Sequence, residues 1–193
     1  MHHYRELVKR QLLLNGGDKV HLSKNPIMSG WVESLVEAFP DARIVVMVRN
    51  PQECIPSCLK LVQASGKGKG WRREDYEQSL DILAELSYEH FEHPRKTLAS
   101  LPQTPHAFVD YRELTQSPTE TVHSVYNALG MQLDEAYDSW LKAQAEREKK
   151  HHSKFEYSLG EFRLSSTEIQ QRLAGFYEEY QWNAPGEEKH NAG

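Results

Sequence analysis

The spacing of apolar residues changes period along this chain, and each change marks an element. An amphipathic stretch over about residues 3 to 14 runs into Asn15-Gly16-Gly17-Asp18, a turn. Lys19-Val20-His21-Leu22-Ser23 then alternates as a first strand would. From Pro26 to Phe39 the apolar residues Ile27, Trp31, Leu35 and Ala38 recur at three- and four-residue steps, which predicts a helix stopping before Pro40-Asp41. Arg43 to Val48 (RIVVMV) is a continuous apolar run, the signature of a strand covered on both faces of a parallel sheet. A helix is expected from Pro51 to about Gln63, irregular in its first turn or kinked by Pro56, followed by a loop from Ala64 to Gly70.

Beyond that loop, Tyr76, Leu80, Leu83, Ser87 and Phe91 form one stripe of a long helical stretch from Arg72 to about Leu101, with a break expected near Pro94. His106 to Asp110 reads as a third strand. Ser117-Pro118-Thr119-Glu120 has the pattern of a capping box with proline at the first helical position, opening a helix that ends at Gly130. Helices over about 134 to 150 and 165 to 181, the second opened by Ser165 and Glu168, complete the chain. The alternation predicts an α/β domain: a parallel sheet flanked by helices, with a mostly helical carboxyl half.

With 193 residues, the chain fits a single domain over 1–182, and the Pro-, Gly- and charge-rich residues 183–193 read as a flexible tail. Twenty-three Lys and Arg against 28 Asp and Glu leave a net charge of -5, which argues against an overall nucleic-acid footprint. No apolar run approaches the ~20 residues of a membrane span, and residues 1 to 14 carry charge throughout with no apolar core of a signal peptide. A cytoplasmic location is the default expectation. Cys54 and Cys58 are four apart, as for core thiols on one helix face. The ten histidines are scattered, and the pairs His2-His3 and His151-His152 are adjacent, so no metal site is expected.

The chemistry concentrates at two strand ends with the same syntax, Ser23-Lys24-Asn25-Pro26 and Val48-Arg49-Asn50-Pro51. In each, a basic residue leaves a strand, Asn caps a helix, and Pro takes the first helical position, where its missing N–H costs nothing. Two parallel strands would bring both ends to one rim, where open α/β sheets bind ligands and helix N-termini add positive potential. Lys24 and Arg49 would strengthen that potential, so a phosphorylated or sulfated small molecule is the natural ligand. Ser57, one to two turns into the second helix, would add a hydroxyl to the anion held by Arg49.

The stretch LSKNPIMSGWVESLVEAFPDARIVVMVRNPQECIPS resembles the sulfotransferases that use 3′-phosphoadenosine 5′-phosphosulfate (PAPS). Their pattern runs strand, K-[S/N]-P, helix, FPDA[R/K], strand, R-[D/N]-P and a Ser eight residues after the Arg. The resemblance implies a P-loop-type sheet and places Arg49 and Ser57 on the 3′-phosphate of the nucleotide. It implies that Lys24 is the catalytic cation beside the leaving phosphate. Downstream, FVDYRELTQSPTETVHSVYNALGM is similar to the family's strand and Tyr-containing turn, which puts Tyr111 near the adenine. HHSKFEYSLGEFRLSSTEIQQRLAGFYEEY is similar to the closing basic and aromatic loop and last helix, with Lys150, His152 and Lys154 as nucleotide-loop candidates. The implied reaction moves a sulfuryl group from PAPS to an acceptor hydroxyl or amine, leaving 3′-phosphoadenosine 5′-phosphate (PAP), without a metal.

Two features depart from the family pattern. The amino-terminal strand and Gly-rich loop of the G-x-x-R-S-G-T-T type, which cradle the 5′-phosphosulfate, are not found, so an amino-terminally incomplete domain is expected. Its sheet would carry a gap or an open edge, through which the chain would oligomerise. Met28 also stands where many members have a His or Asn four residues beyond the Lys, leaving His21 and Glu33 as substitutes for a base. These departures favour a competing expectation, a non-catalytic nucleotide- or partner-binding module with the helical carboxyl half as its interaction surface. A small phosphate-binding kinase fragment fits the Arg49 to Ser57 spacing less well.

Ser65-Gly66-Lys67-Gly68-Lys69-Gly70 lacks phosphate-loop spacing and reads as a flexible loop, with Lys67 and Lys69 available to an anionic acceptor. Glu146 to Lys150 reads as a solvated helix end. Phe176, Tyr177, Tyr180 and Trp182 read as helix packing rather than a base-stacking platform.

Overall fold

Val48 and Asp110 sit opposite each other at the carboxyl ends of two parallel strands, β1 (Ile44–Val48) and β2 (His106–Asp110), which pair in register from Ile44 with His106 onward. The computed structural model describes residues 1–148 and 158–182, and among these the sheet has two strands. Around it lie α1 (His2–Asn15), a 3-10 segment (Pro26–Trp31), α2 (Val32–Ala38), α3 (Pro51–Gly68) and α4 (Arg73–Ser100). After β2 come α5 (Tyr111–Gln116), α6 (Pro118–Ala128), α7 (Glu135–Glu148), a 3-10 turn (Gly160–Phe162), α8 (Ser166–Arg172) and α9 (Ala174–Tyr180). The α/β class with a predominantly helical carboxyl half is as the sequence predicts. The tail, 183–193, and the candidates Lys150, His152 and Lys154 lie outside the described residues.

The core is built where apolar stripes of α3, α4, α8 and α9 meet β1. Ile55, Leu59, Tyr76, Leu80, Ile169, Leu173 and Phe176 are buried there with Val48. Each large apolar side chain withdrawn from water contributes about 1.5 to 3 kcal/mol before chain entropy is charged against it. The stripe expected on α4 is the buried one: Tyr76, Leu80 and Ser87 are buried, with Leu83 and Phe91 packed alongside. The aromatic cluster is likewise packing, with Phe176 and Trp182 buried and their rings stacked at 6.5 Å.

Several local expectations are corrected. Lys19 to Ser23 forms no ladder: Val20 is 75% and Leu22 92% exposed, and Tyr4 holds only the end of the segment through a hydroxyl bond to Ser23 Oγ at 3.0 Å. A strand needs a neighbouring edge to satisfy its backbone, and β1 has given one edge to β2. No gap opens between β1 and β2; the unpaired edges are the outer ones. Nor is β1 covered on both faces, since Val45 and Met47 are about half exposed while Val48 is buried.

Helices α3 and α4 continue past Pro56 and Pro94 without interruption, although these residues lack the N–H that would bond Gln52 and His90. Both rings are fully buried, so tertiary packing offsets the lost bonds. The expected loop at 64–70 is mostly the last turn of α3, because Gly66 is buried against the Tyr76 ring of α4. Ser117 makes no side-chain cap; its carbonyl accepts from Thr121 Oγ1 instead. The last helix is divided at Leu173, while Ser165 caps α8 by accepting from the Glu168 N–H at 3.3 Å.

Candidate anion site at the sheet rim

The two Asn-Pro motifs act as helix punctuation. Asn25 Oδ1 accepts from the Ile27 N–H at 3.2 Å and Asn50 Oδ1 from the Gln52 N–H at 3.0 Å, with Pro26 and Pro51 at the first helical positions. Only the second motif follows a strand, so the rim is made by the ends of β1 and β2, and not by residues 19–23 with β1.

Because β1 and β2 are in register, the residues one step past each strand, Arg49 and Tyr111, are neighbours. The Arg49 guanidinium lies 4.8 Å from the centroid of the Tyr111 ring, a cation–π contact. It also donates through Nε to Glu53 Oε2 at 2.9 Å, closing an ion pair. Ser57 is half-buried and stands one turn beyond Glu53 on the same face of α3. Arg49, Glu53 and Ser57 thus follow one stripe at the positive end of an 18-residue helix, with the Tyr111 ring alongside.

Lys24 is elsewhere. It is exposed, in the unpaired segment, and no hydrogen bond, ion pair or ring contact among the described residues joins it to Arg49. Met28 is half-buried and His21 exposed. Glu33 sits in a polar cluster that pattern reasoning missed: Thr97 Oγ1 is 3.3 Å from Glu33 Oε1 and 3.4 Å from His93 Nε2, and His93 Nε2 is 3.7 Å from Glu33 Oε2. His90 faces Gly30 beside this cluster, and burial pushes its pKa below the ordinary histidine range. Lys67 lies in the last turn of α3, and Lys69, just past it, stacks on Trp71 at 4.7 Å.

Two further groups at the rim gave no motif signal. Asp110, 3% exposed, closes β2 and is paired with Arg112 at 2.6 Å, whose guanidinium also donates to the Tyr180 carbonyl. The Tyr177 hydroxyl donates to Asn50 Oδ1 at 3.1 Å and Ser166 Oγ to Gln52 Oε1 at 3.0 Å, so the carboxyl-terminal helices grip the first turn of α3. A cavity of about 540 Å³ lies along β2, α5 and α6, lined by Phe108, Val109, Glu113, Glu120 and Val125 among others. It contains none of Lys24, Arg49, Ser57 and Tyr111, and its carboxylates make it a poor place for an anion. Among the described residues no cluster of His, Cys, Asp and Glu is arranged to hold a metal, and no helix is long and apolar enough to cross a membrane.

A two-stranded parallel sheet with helices packed around it, an arginine leaving one strand and a capped helix beside it make an α/β protein with a candidate anion site at the sheet rim. The sequence model of the sulfotransferase family matches residues 3–135, more than half of the chain, and the chain belongs to that family. Among solved structures, the crystal structure of sulfotransferase STF9 from Mycobacterium avium superposes with a TM-score of 0.67 at 17% identity, a likeness of fold. It covers 83% of this chain but only 41% of the other, so this chain spans about two fifths of that relative's length. No curated protein matches it in sequence. Sulfuryl transfer is the common chemistry of the family, and PAPS its general donor.

Proposed function

We propose that residues 1–182 act as one sulfotransferase domain that binds PAPS and transfers its sulfuryl group to an acceptor hydroxyl or amine. The observation that carries this reading is the Arg49 guanidinium seated between the Tyr111 ring and the first turn of α3. That corner suits a phosphate next to a flat base: a planar cation at the positive end of a helix, and an aromatic face beside it. Arg49 and Ser57 would hold the 3′-phosphate, and Tyr111 would lie against the adenine. To do so, Arg49 must exchange Glu53 for phosphate, a change between two charge-assisted partners in an exposed setting that costs little.

PAPS would supply the activated sulfuryl group, which would pass to the acceptor oxygen or nitrogen with PAP as the leaving group and the acceptor proton released. The chain's part is to orient the nucleotide and stabilise the charge left on the phosphate. Lys24, exposed and with no ion pair among the described residues, would be the mobile cation that meets that charge. The second reading, a nucleotide- or partner-binding module without catalysis, draws on Met28 standing where a base would be useful.

Calorimetric titration of the purified chain with PAP, beside the variant Arg49→Ala, tests the site. Wild-type binding that weakens by about 1.5 to 3 kcal/mol in the variant, the range of a charged hydrogen bond, supports it. A folded chain that ignores PAP overturns it. Transfer of labelled sulfuryl from PAPS to an acceptor panel then separates the catalytic reading from the binding-only one.

A further inference from the structure

Asn50 Oδ1 carries two hydrogen bonds, one from its own helix and one from a residue 127 positions away. The Gln52 N–H at 3.0 Å closes the cap of α3, and the Tyr177 hydroxyl at 3.1 Å approaches the same oxygen from α9. A cap alone needs only the first, since the Glu53 and Cys54 N–H groups are also met by the Asn50 carbonyl at 2.9 Å each. The second bond therefore does something other than finish the helix. It fixes the Asn50 side chain, and with it the backbone from which Arg49 departs.

Tyr177 is well placed to be rigid. Its ring meets Trp182 edge-on at 5.8 Å, and its neighbour Phe176 is 1% exposed in the core. Burial pushes the Tyr177 hydroxyl above its usual pKa, keeping it a neutral donor at physiological pH. A parallel contact, Ser166 Oγ to Gln52 Oε1 at 3.0 Å, ties α8 to the next residue but one. Binding groups are aimed well only when the residues supporting them are themselves locked by packing and hydrogen bonds.

We propose that Tyr177 is a positioning residue for the anion site: through Asn50 it holds the Arg49 guanidinium in the geometry that receives a phosphate. Tyr177 does not touch the ligand; it sets the aim of the group that does. The inference rests on the nucleotide reading of the site.

The test compares Tyr177→Phe with the wild type by calorimetry using PAP and 5′-AMP, which lacks the 3′-phosphate. The expected result is a PAP Kd raised about three- to tenfold, as for one lost hydrogen bond, with the 5′-AMP Kd unchanged. In an Arg49→Ala background the same substitution should add nothing. Equal losses for both nucleotides, an unchanged PAP Kd, or an undiminished effect without Arg49 would each overturn the proposal. Amide hydrogen exchange of residues 50–54 is a ligand-free arm. If the wild type does not bind PAP, the nucleotide reading falls, and exchange alone judges the tether. Faster exchange at 50–54 in Tyr177→Phe upholds it, and unchanged exchange refutes it.

Discussion

The guanidinium of Arg49 stacks on the ring of Tyr111, 4.8 Å from its centroid, although 61 residues of chain separate them. The contact follows from register: with Val48 opposite Asp110, the next residue of each strand must share the rim. It gives the site both a charge and a flat face, which are the two things a phosphorylated nucleoside asks for.

Tyr111 should therefore work through its ring. Tyr111→Phe keeps the face and is expected to bind PAP within about twofold of wild type, since only an exposed hydroxyl changes. Tyr111→Ala removes both the stack on Arg49 and the surface for the base, and should lose roughly 1 to 3 kcal/mol, the range for one base–aromatic stack. A titration in which Phe and Ala behave alike would show that the ring is not used.

Glu53 competes with any anion for Arg49. Its carboxylate is 2.8 Å from the guanidinium and about half exposed, so the pair contributes little to folding. Glu53→Gln should leave the melting temperature nearly unchanged and tighten PAP binding by about 0.5 to 1 kcal/mol, by relieving repulsion at the site. The gain should shrink as salt is raised from about 50 to about 300 mM, because the Debye length falls from about 14 Å to about 6 Å and screens the exposed carboxylate. Weaker binding in Glu53→Gln would mean that the carboxylate organises Arg49 rather than occupying it.

Gly66 is a packing residue. A Cβ built there would lie 2.7 Å from Tyr76 Cδ1, in a ring that is 3% exposed and has no free space to retreat into. Gly66→Ala should destabilise the fold by about 1 to 3 kcal/mol despite the better helix propensity of alanine. Urea denaturation of the variant beside Gly68→Ala, where nothing lies within 4 Å, isolates the clash from propensity. A stabilised Gly66→Ala would contradict the close approach of α3 and α4.

The thiols should be sluggish in a definite order. Burial pushes the Cys54 thiol up to about 11 and raises that of Cys58 as well. A raised pKa means that the thiolate, the reactive form, is scarce below it and grows as pH climbs toward it. In Cys58→Ser, alkylation of Cys54 by iodoacetamide should thus be slow at pH 8 and accelerate steadily up to about pH 11. A rate that levels off below pH 9 would refute the burial argument.

Much of this molecule is legible locally. Amphipathic period, proline and asparagine identify α1, α3, α4 and α6, and both Asn-Pro caps form as their residue types require. The strands at Ile44–Val48 and His106–Asp110 stand where the apolar runs put them. Family membership, too, was readable from the stretch that holds Lys24, Arg49 and Ser57.

What local pattern could not decide is partnership. Lys19 to Ser23 has the composition of a strand, yet a strand exists only when another edge accepts its backbone, and that edge is chosen by the whole chain. Pro56 and Pro94 look like breaks until their burial is known, and Gly66 looks like a loop until Tyr76 is laid upon it. The contacts that aim the site, Arg49 on Tyr111 and Tyr177 on Asn50, join residues remote in sequence. Residue type and period are properties of neighbours along the chain and determine helices, caps and apolar faces; strand pairing and the aim of Arg49 are energies shared between distant segments, and only the folded arrangement selects them.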